Sequence, residues 1–457
     1  MERETPTPTA ERWNNRALFG LLVPLVVEQV LVVAMGAVDT VMVSSVGEFA
    51  VSGVNIVNNI NNLLIIAFTA LSSGGAIVVS QYIGRRDRPN SSLAAKQLVY
   101  VAVLVSLAVM TVALFLHRPM IRLFYGNVED DVMNAAAVYF LFSAMAYPFL
   151  AVYTAGAALF RASGNSKIPM RISLLANVLS VGGNVLLIYV AGLGVFGAAL
   201  STFLSRIFSA AVIGVMLRRE GQRPGTYISL SRVSGLRIVT SMVRRICNIG
   251  VPGAIESSVF MVGRLLTQRI FVVFGTSAVA ANAVSSVVNS FSVMPGNAFG
   301  ITLTVVVGQC IGAGNYGEAK KQAAKILKMS FAFLFAVSGL TLIFLQPLVG
   351  LFNLSDEAAG MAVSFLRVHC ISMALGWTMS FVLPSALRAS GDVRYVMTVA
   401  VASMWAVRVL AAYLFVFALG LGPVGVWLAM GADFFVRSVF YLARWLRGRW
   451  QGKRVIG

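Results

Sequence analysis

The chain has 457 residues, 58% of them hydrophobic and 12% charged, and its mean hydropathy is +0.83. A soluble domain of this length needs roughly twice that charged fraction on its surface, so a soluble fold is excluded and a polytopic helical membrane protein is predicted. The net charge of +19 would fit a nucleic-acid partner in a soluble protein; here its placement along the chain gives it another meaning, and no nucleic acid is expected.

The chain opens with MERETPTPTAERWNNR. This stretch is polar and has no apolar core or small-residue cleavage site, so helix 1 is expected to stay in the mature protein. Apolar runs broken by charge or glycine predict twelve helices. They lie near 18–43, 49–82, 93–117, 132–160, 168–192, 194–218, 245–273, 277–311, 322–346, 360–387, 395–420 and 423–446.

Helix 1 reads PLVVEQVLVVAMGAVDT and carries Glu28 and Asp39 with no cation between them. Eleven residues make three turns and about 20°, so both acids lie on one face, roughly 16 Å apart. Ionisable groups at membrane depth are functional candidates. Helix 2 carries an amide stripe, Asn55, Asn58, Asn59 and Asn62, and helix 8 repeats it with Asn282, Ser285, Ser286 and Asn289. Amides facing lipid are costly; the stripes line a substrate cavity or bond helix to helix. Met35 and Trp377, with Phe142, Tyr147, Phe291 and Met294, would add adaptable apolar and cation–π surface. Asp433 and Arg437 are spaced for an intrahelical ion pair.

The second half copies the first at an offset of about 228. Pro24 and Glu28 match Pro252 and Glu256; VSQYIG returns as VGQCIG, RASGN after helix 4 as RASGD after helix 10, and Gly197 as Gly425. Six helices per half place both halves the same way up. The predicted fold is therefore an all-α membrane protein of twelve transmembrane helices in two six-helix lobes, related by a pseudo-twofold axis along the membrane normal, with a cleft between them. The lobes are 1–218 and 241–457, joined by a cytoplasmic linker at 219–240. Lysine and arginine concentrate at the termini and in alternate loops, while the other loops hold only Arg118 and Arg122. The positive-inside rule then puts both termini in the cytoplasm of a plasma (inner) membrane. The RASG pair and GRRDR at 84–88 read as topology and packing elements.

There is no phosphate-binding loop, and no nucleophile or metal constellation is present. Cys247, Cys310 and Cys370 are scattered, as are His117 and His369, so neither an enzyme nor a disulfide framework is expected. Uphill transport would have to use an ion gradient, at about 2.3 kcal/mol per charge per 100 mV. The duplicated Glu28 and Glu256 read either as a paired coupling device or as a tether inherited by each lobe.

The stretch MGAVDTVMVSSVGEFAVSGV, the VSQYIG/VGQCIG and RASGN/RASGD pairs and the six-plus-six layout together resemble the multidrug and toxic-compound extrusion (MATE) family over nearly the whole chain. The resemblance implies an antiporter that exports amphiphilic, often cationic compounds in exchange for protons or sodium ions, without a cofactor. It places the family's helix 1 acid on Asp39. The family's helix 5 pattern N-x-x-N-x-x-x-D falls on Asn177, Ser180 and Asn184, so the second acid is missing here. A sodium ion would have to be held by Asp39, Asn177 and Asn184, and the loss of that acid favours protons. A sodium-coupled branch of the family has a glutamate eight residues after the helix 7 proline. This chain has Phe260 there, and Glu256 lies one turn earlier. A monomer working in the bilayer on small amphiphilic molecules is expected; the competing expectation is a lipid-linked oligosaccharide flippase of related fold, for which Arg264 and Arg367 speak.

Overall fold

The computed structural model describes residues 13–126, 129–223, 225–229, 238–453 and 455–456. The predicted linker lies partly outside them, at 224 and 230–237, as do the first twelve residues. Among the described residues eleven helices are long and apolar enough to span a membrane, and one bent pair makes a twelfth.

We number them α1 Asn15–Ser44, α2 Glu48–Gly84, α3 Arg88–Tyr125, α4 Asp130–Met145 with Tyr147–Ala162, α5 Lys167–Val190, α6 Gly194–Gly221, α7 Thr240–Val273, α8 Thr276–Gly312, α9 Tyr316–Ile343, α10 Asp356–Ala389, α11 Val393–Ala418 and α12 Val424–Leu446. Every predicted helix is present. Several start earlier than the first apolar residue because a polar cap precedes them: Asp87, Asn315 and Ser355 each accept the backbone N–H three residues on, which satisfies an otherwise orphaned donor. The predicted end of helix 9 at 346 is corrected. α9 stops at Ile343, and a short helix Leu345–Gly350 follows it.

α4 bends by 48° between its two segments, where Pro148 lacks the N–H that would continue the ladder. The C-terminal ends of α5 and α11 and the middle of α10 widen into π-helical turns, at Val185–Val190, Leu414–Ala418 and Met373–Val382, and α11 has another at Met404–Val409. Such turns pass between α-helical phases and often mark functional positions.

The chain forms two compact units, residues 23–251 and residues 1–22 with 252–457. The two changes of unit fall beside Pro24 in α1 and Pro252 in α7, prolines inside long helices. In the first unit α2 is the central helix, buried almost continuously from Ser72 to Ile83 apart from Ser73. In the second, α8 has that position, buried from Val305 to Ile311. Small residues permit this centrality. A Cβ on Gly74 would lie 2.7 Å from the Gly250 backbone N, and one on Gly53 2.9 Å from the Ala136 N. Close backbone approach through glycine is the usual device in lipid, where apolar side chains gain little from meeting each other.

Candidate functional site

Asp39 lies five residues before the end of α1 and is half-buried. Asn184, only 1% exposed, donates its Nδ2 to Asp39 Oδ1 at 2.9 Å. Asn184 is the last α-helical residue of α5 before the π turn. Its own Oδ1 is buried without a partner. The Arg206 guanidinium on α6 acts on Asp39 at Coulombic range without forming an ion pair with it, and Arg206 Nη1 is buried and unbonded.

The other two α5 positions turn elsewhere. Asn177 Nδ2 donates to the Leu31 carbonyl at 3.3 Å, two helical turns from Asn184. Ser180 is buried, and its carbonyl accepts from Ser201 Oγ at 2.8 Å. Of the set Asp39, Asn177, Ser180 and Asn184, the structure brings together Asp39 and Asn184. Among the described residues no three His, Cys, Asp or Glu side chains converge as a metal site.

The duplicated acids have duplicated partners. Glu28 Oε1 meets Arg161 Nη2 at 2.5 Å, and Tyr153 Oη donates to the same oxygen at 3.4 Å. In the second unit Glu256 Oε1 meets Arg388 Nη2 at 2.6 Å. In each case the second carboxylate oxygen is buried with no hydrogen bond. Arg161 and Arg388 are the arginines of the RASG motifs, at the ends of α4 and α10. Read as separate repeats, the acids and the arginines gave no sign of being one device. The signal was available: two pairs at nearly the same offset, one acidic and one basic. The spaced pair on α12 also forms, Arg437 Nε to Asp433 Oδ1 at 2.8 Å.

The amide stripe on α2 leaves Asn55, Asn59 and Asn62 exposed and Asn58 half-buried. Sequence reasoning passed over Asn61, which is buried and accepts from Tyr147 Oη at 2.7 Å. On α8 Asn282, Ser286 and Asn289 are half-buried. Met35 is half-buried on α1. Trp377 is buried, and its indole fills the space over Gly296, where a Cβ would lie 2.0 Å from the ring. Its ring serves helix packing between α8 and α10.

The MatE family model matches residues 24–186 and 250–414, once in each half. An uncharacterized transporter, YisQ, of Bacillus subtilis (strain 168) is 27% identical over 95% of this chain and 94% of its own length. A probable multidrug resistance protein NorM of Thermotoga maritima is 27% identical over 97% of this chain and 94% of its own. Among solved structures, a MATE in the bent conformation superposes with TM-score 0.87 at 19% identity, covering 98% of this chain and 99% of that one. A MOP superfamily transporter from Pyrococcus furiosus, described by the reverse polarity of its binding pocket, gives TM-score 0.87 at 20% identity, covering 99% of each chain. With a twelve-span helical fold and a family match in both halves, the chain belongs to the MatE family of multi-pass membrane transporters.

Proposed function

We propose that this transporter is a secondary active antiporter of the cell membrane that exports amphiphilic, often cationic compounds in exchange for protons, with Asp39 as the coupling acid. One observation carries the choice of residue. Four acids lie well inside the spans: Glu28, Glu256 and Asp433 each form an ion pair with arginine, and among the described residues Asp39 forms none. An acid locked to a guanidinium is a poor proton carrier, because protonation must first break a charge-assisted bond. Asp39 has a neutral amide as its direct partner, so it can take up and release a proton while keeping that partner.

The same geometry supports protons over sodium. A hard cation favours several converging oxygens. Here the second carboxylate of the family pattern is an amide, and Arg206 puts a positive charge near the remaining one. In the proposed cycle, substrate enters from the cytoplasm, the lobes rock outward and release it, and a proton on Asp39 favours the return. Both termini are cytoplasmic in this reading, which the distribution of lysine and arginine supports. The lobes are those of the repeat, 1–218 and 241–457, with the chain acting as a monomer.

The test is transport of a fluorescent cation in proteoliposomes under an imposed pH or sodium gradient. Export should follow the pH gradient, and Asp39→Asn should reduce coupled export to background while the protein keeps its melting temperature. Full export by that variant, or export driven by sodium alone, would refute the assignment. Failure of any gradient to move any dye, together with binding of a polyprenyl-linked sugar, would favour the flippase.

A further inference from the structure

The interior of the second unit has a polarity opposite to that around Asp39. At the offset that relates Gly197 to Gly425, Ser205 becomes Asp433, Ser209 becomes Arg437 and Ser180 becomes Arg408. Asp433 is wholly buried, and its Oδ1 takes both hydrogen bonds, from Arg437 Nε at 2.8 Å and Ser403 Oγ at 2.5 Å, while its Oδ2 is buried with no hydrogen bond. Arg437 also donates to the Ala400 carbonyl at 3.1 Å. Arg408 is different. It is 8% exposed, and its Nη1 stands 3.9 Å from Asp433 Oδ2, beyond hydrogen-bond distance. It makes no other polar contact among the described residues.

Two buried guanidinium groups therefore share one carboxylate, leaving an excess positive charge in the middle of three membrane helices. Arg264 on α7 adds its field at Coulombic range. Burying an uncompensated charge costs several kcal/mol, so the cluster is balanced only when an anion joins it. Aromatic rings stand beside the free guanidinium. Arg408 lies 5.3 Å from the centroid of Phe260, and Phe260 meets Phe381 edge-on at 6.2 Å. Phe260 thus faces two arginines, with Arg437 5.4 Å from the same ring. Arg408 itself sits in the π turn Met404–Val409, which presents it out of the ordinary α-helical phase.

We infer that the second unit contains a binding site for the anionic group of an amphiphilic substrate, a carboxylate or sulfonate on an aromatic body, with Arg408 as the direct ligand and Phe260 and Phe381 against the ring. This names a further substrate class for the exporter proposed above, and so rests on that reading for its physiological use. Binding itself does not. A guanidinium that shares its carboxylate and makes no hydrogen bond still offers two parallel donors to a second carboxylate, a geometry that lysine lacks.

The test is equilibrium binding to the full chain in phosphatidylcholine nanodiscs. The probes are 2-naphthoate and the neutral 2-naphthalenemethanol. The unaltered protein should prefer the carboxylate by about tenfold or more. Arg408→Gln should abolish that preference, Arg408→Lys should keep part of it, and Arg118→Gln should leave it whole. Phe381→Leu should weaken both probes together. No preference in the unaltered protein, or an equal preference in Arg408→Gln, would overturn the site. Should Arg408→Gln fail to fold, an unreduced preference in Arg408→Lys would overturn it equally. Displacement of naphthoate by phosphatidylglycerol added to the discs would assign the site to a lipid headgroup instead, against the proposal. Carboxylate preference without gradient-driven export leaves the site standing and removes the antiporter; the reverse result does the opposite.

Discussion

Glu28 and Asp39 share one helix and one face, yet their surroundings differ: one meets a guanidinium and the other a neutral amide. Glu28 is held by Arg161, as Glu256 is by Arg388. Each pair joins the middle of the first helix of a repeat to the end of the fourth. Removing one member of a buried pair strands the other charge, at a cost of about 3–5 kcal/mol, whereas removing both is far milder. Arg161→Gln should therefore lower the melting temperature of the purified protein markedly, and Glu28→Gln with Arg161→Gln should recover most of the loss. An Arg161→Gln protein that melts like the parent would show that the pair contributes nothing to stability. The acid at position 28 was visible in the sequence, but its partner, 133 residues away, was not. Arg161 reads as a cytoplasmic-end cation under the positive-inside rule, and that rule says nothing about which acid it reaches.

At the scale of helices, hydropathy located every span, because each must satisfy its own backbone in lipid and so must be a long apolar helix. Boundaries were less legible. Amphipathic first turns behind Asp87 and Asn315 extend α3 and α9 beyond their apolar stretches, and hydropathy does not register a cap. The close approaches come from particular glycines. Gly74 faces a backbone that cannot yield, so Gly74→Ala should destabilise the protein by about 1–3 kcal/mol. Gly182, also helical, has nothing within 4 Å of an added Cβ, so Gly182→Ala should be neutral or slightly stabilising. Thermal melting of the two variants side by side checks this; equal losses would mean that the α2–α7 approach is not tight.

For the whole molecule, the internal repeat is the organising fact. Its equivalent positions keep the glutamate–arginine pairs but diverge in charge. The first unit places Asp39 with a neutral amide, and the second places two arginines around Asp433. One acidic and one basic interior would allow the two units to handle different charges on a substrate. The orientation belongs to this scale too. On the proposed orientation, with both termini cytoplasmic, a fluorescent reporter fused after Gly457 should be bright in a bacterial host. A phosphatase fused there should be inactive; an active phosphatase would reverse the topology.

The sequence by itself determined the class, the number of spans, the repeat and the family, because these rest on composition, period and order along the chain. It also displayed the acids within the spans, Glu28, Asp39, Glu256 and Asp433. Apart from Asp433, whose partner lies four residues on, which of them is tied to an arginine and which is not was decided only by tertiary structure. Charge pairing depends on side chains brought together from helices more than a hundred residues apart, and no local pattern encodes that distance. The same holds for Arg408, which in the sequence is one of six arginines within helices. Only packing shows that Arg408 must share Asp433 with Arg437, beyond hydrogen-bond distance and facing Phe260.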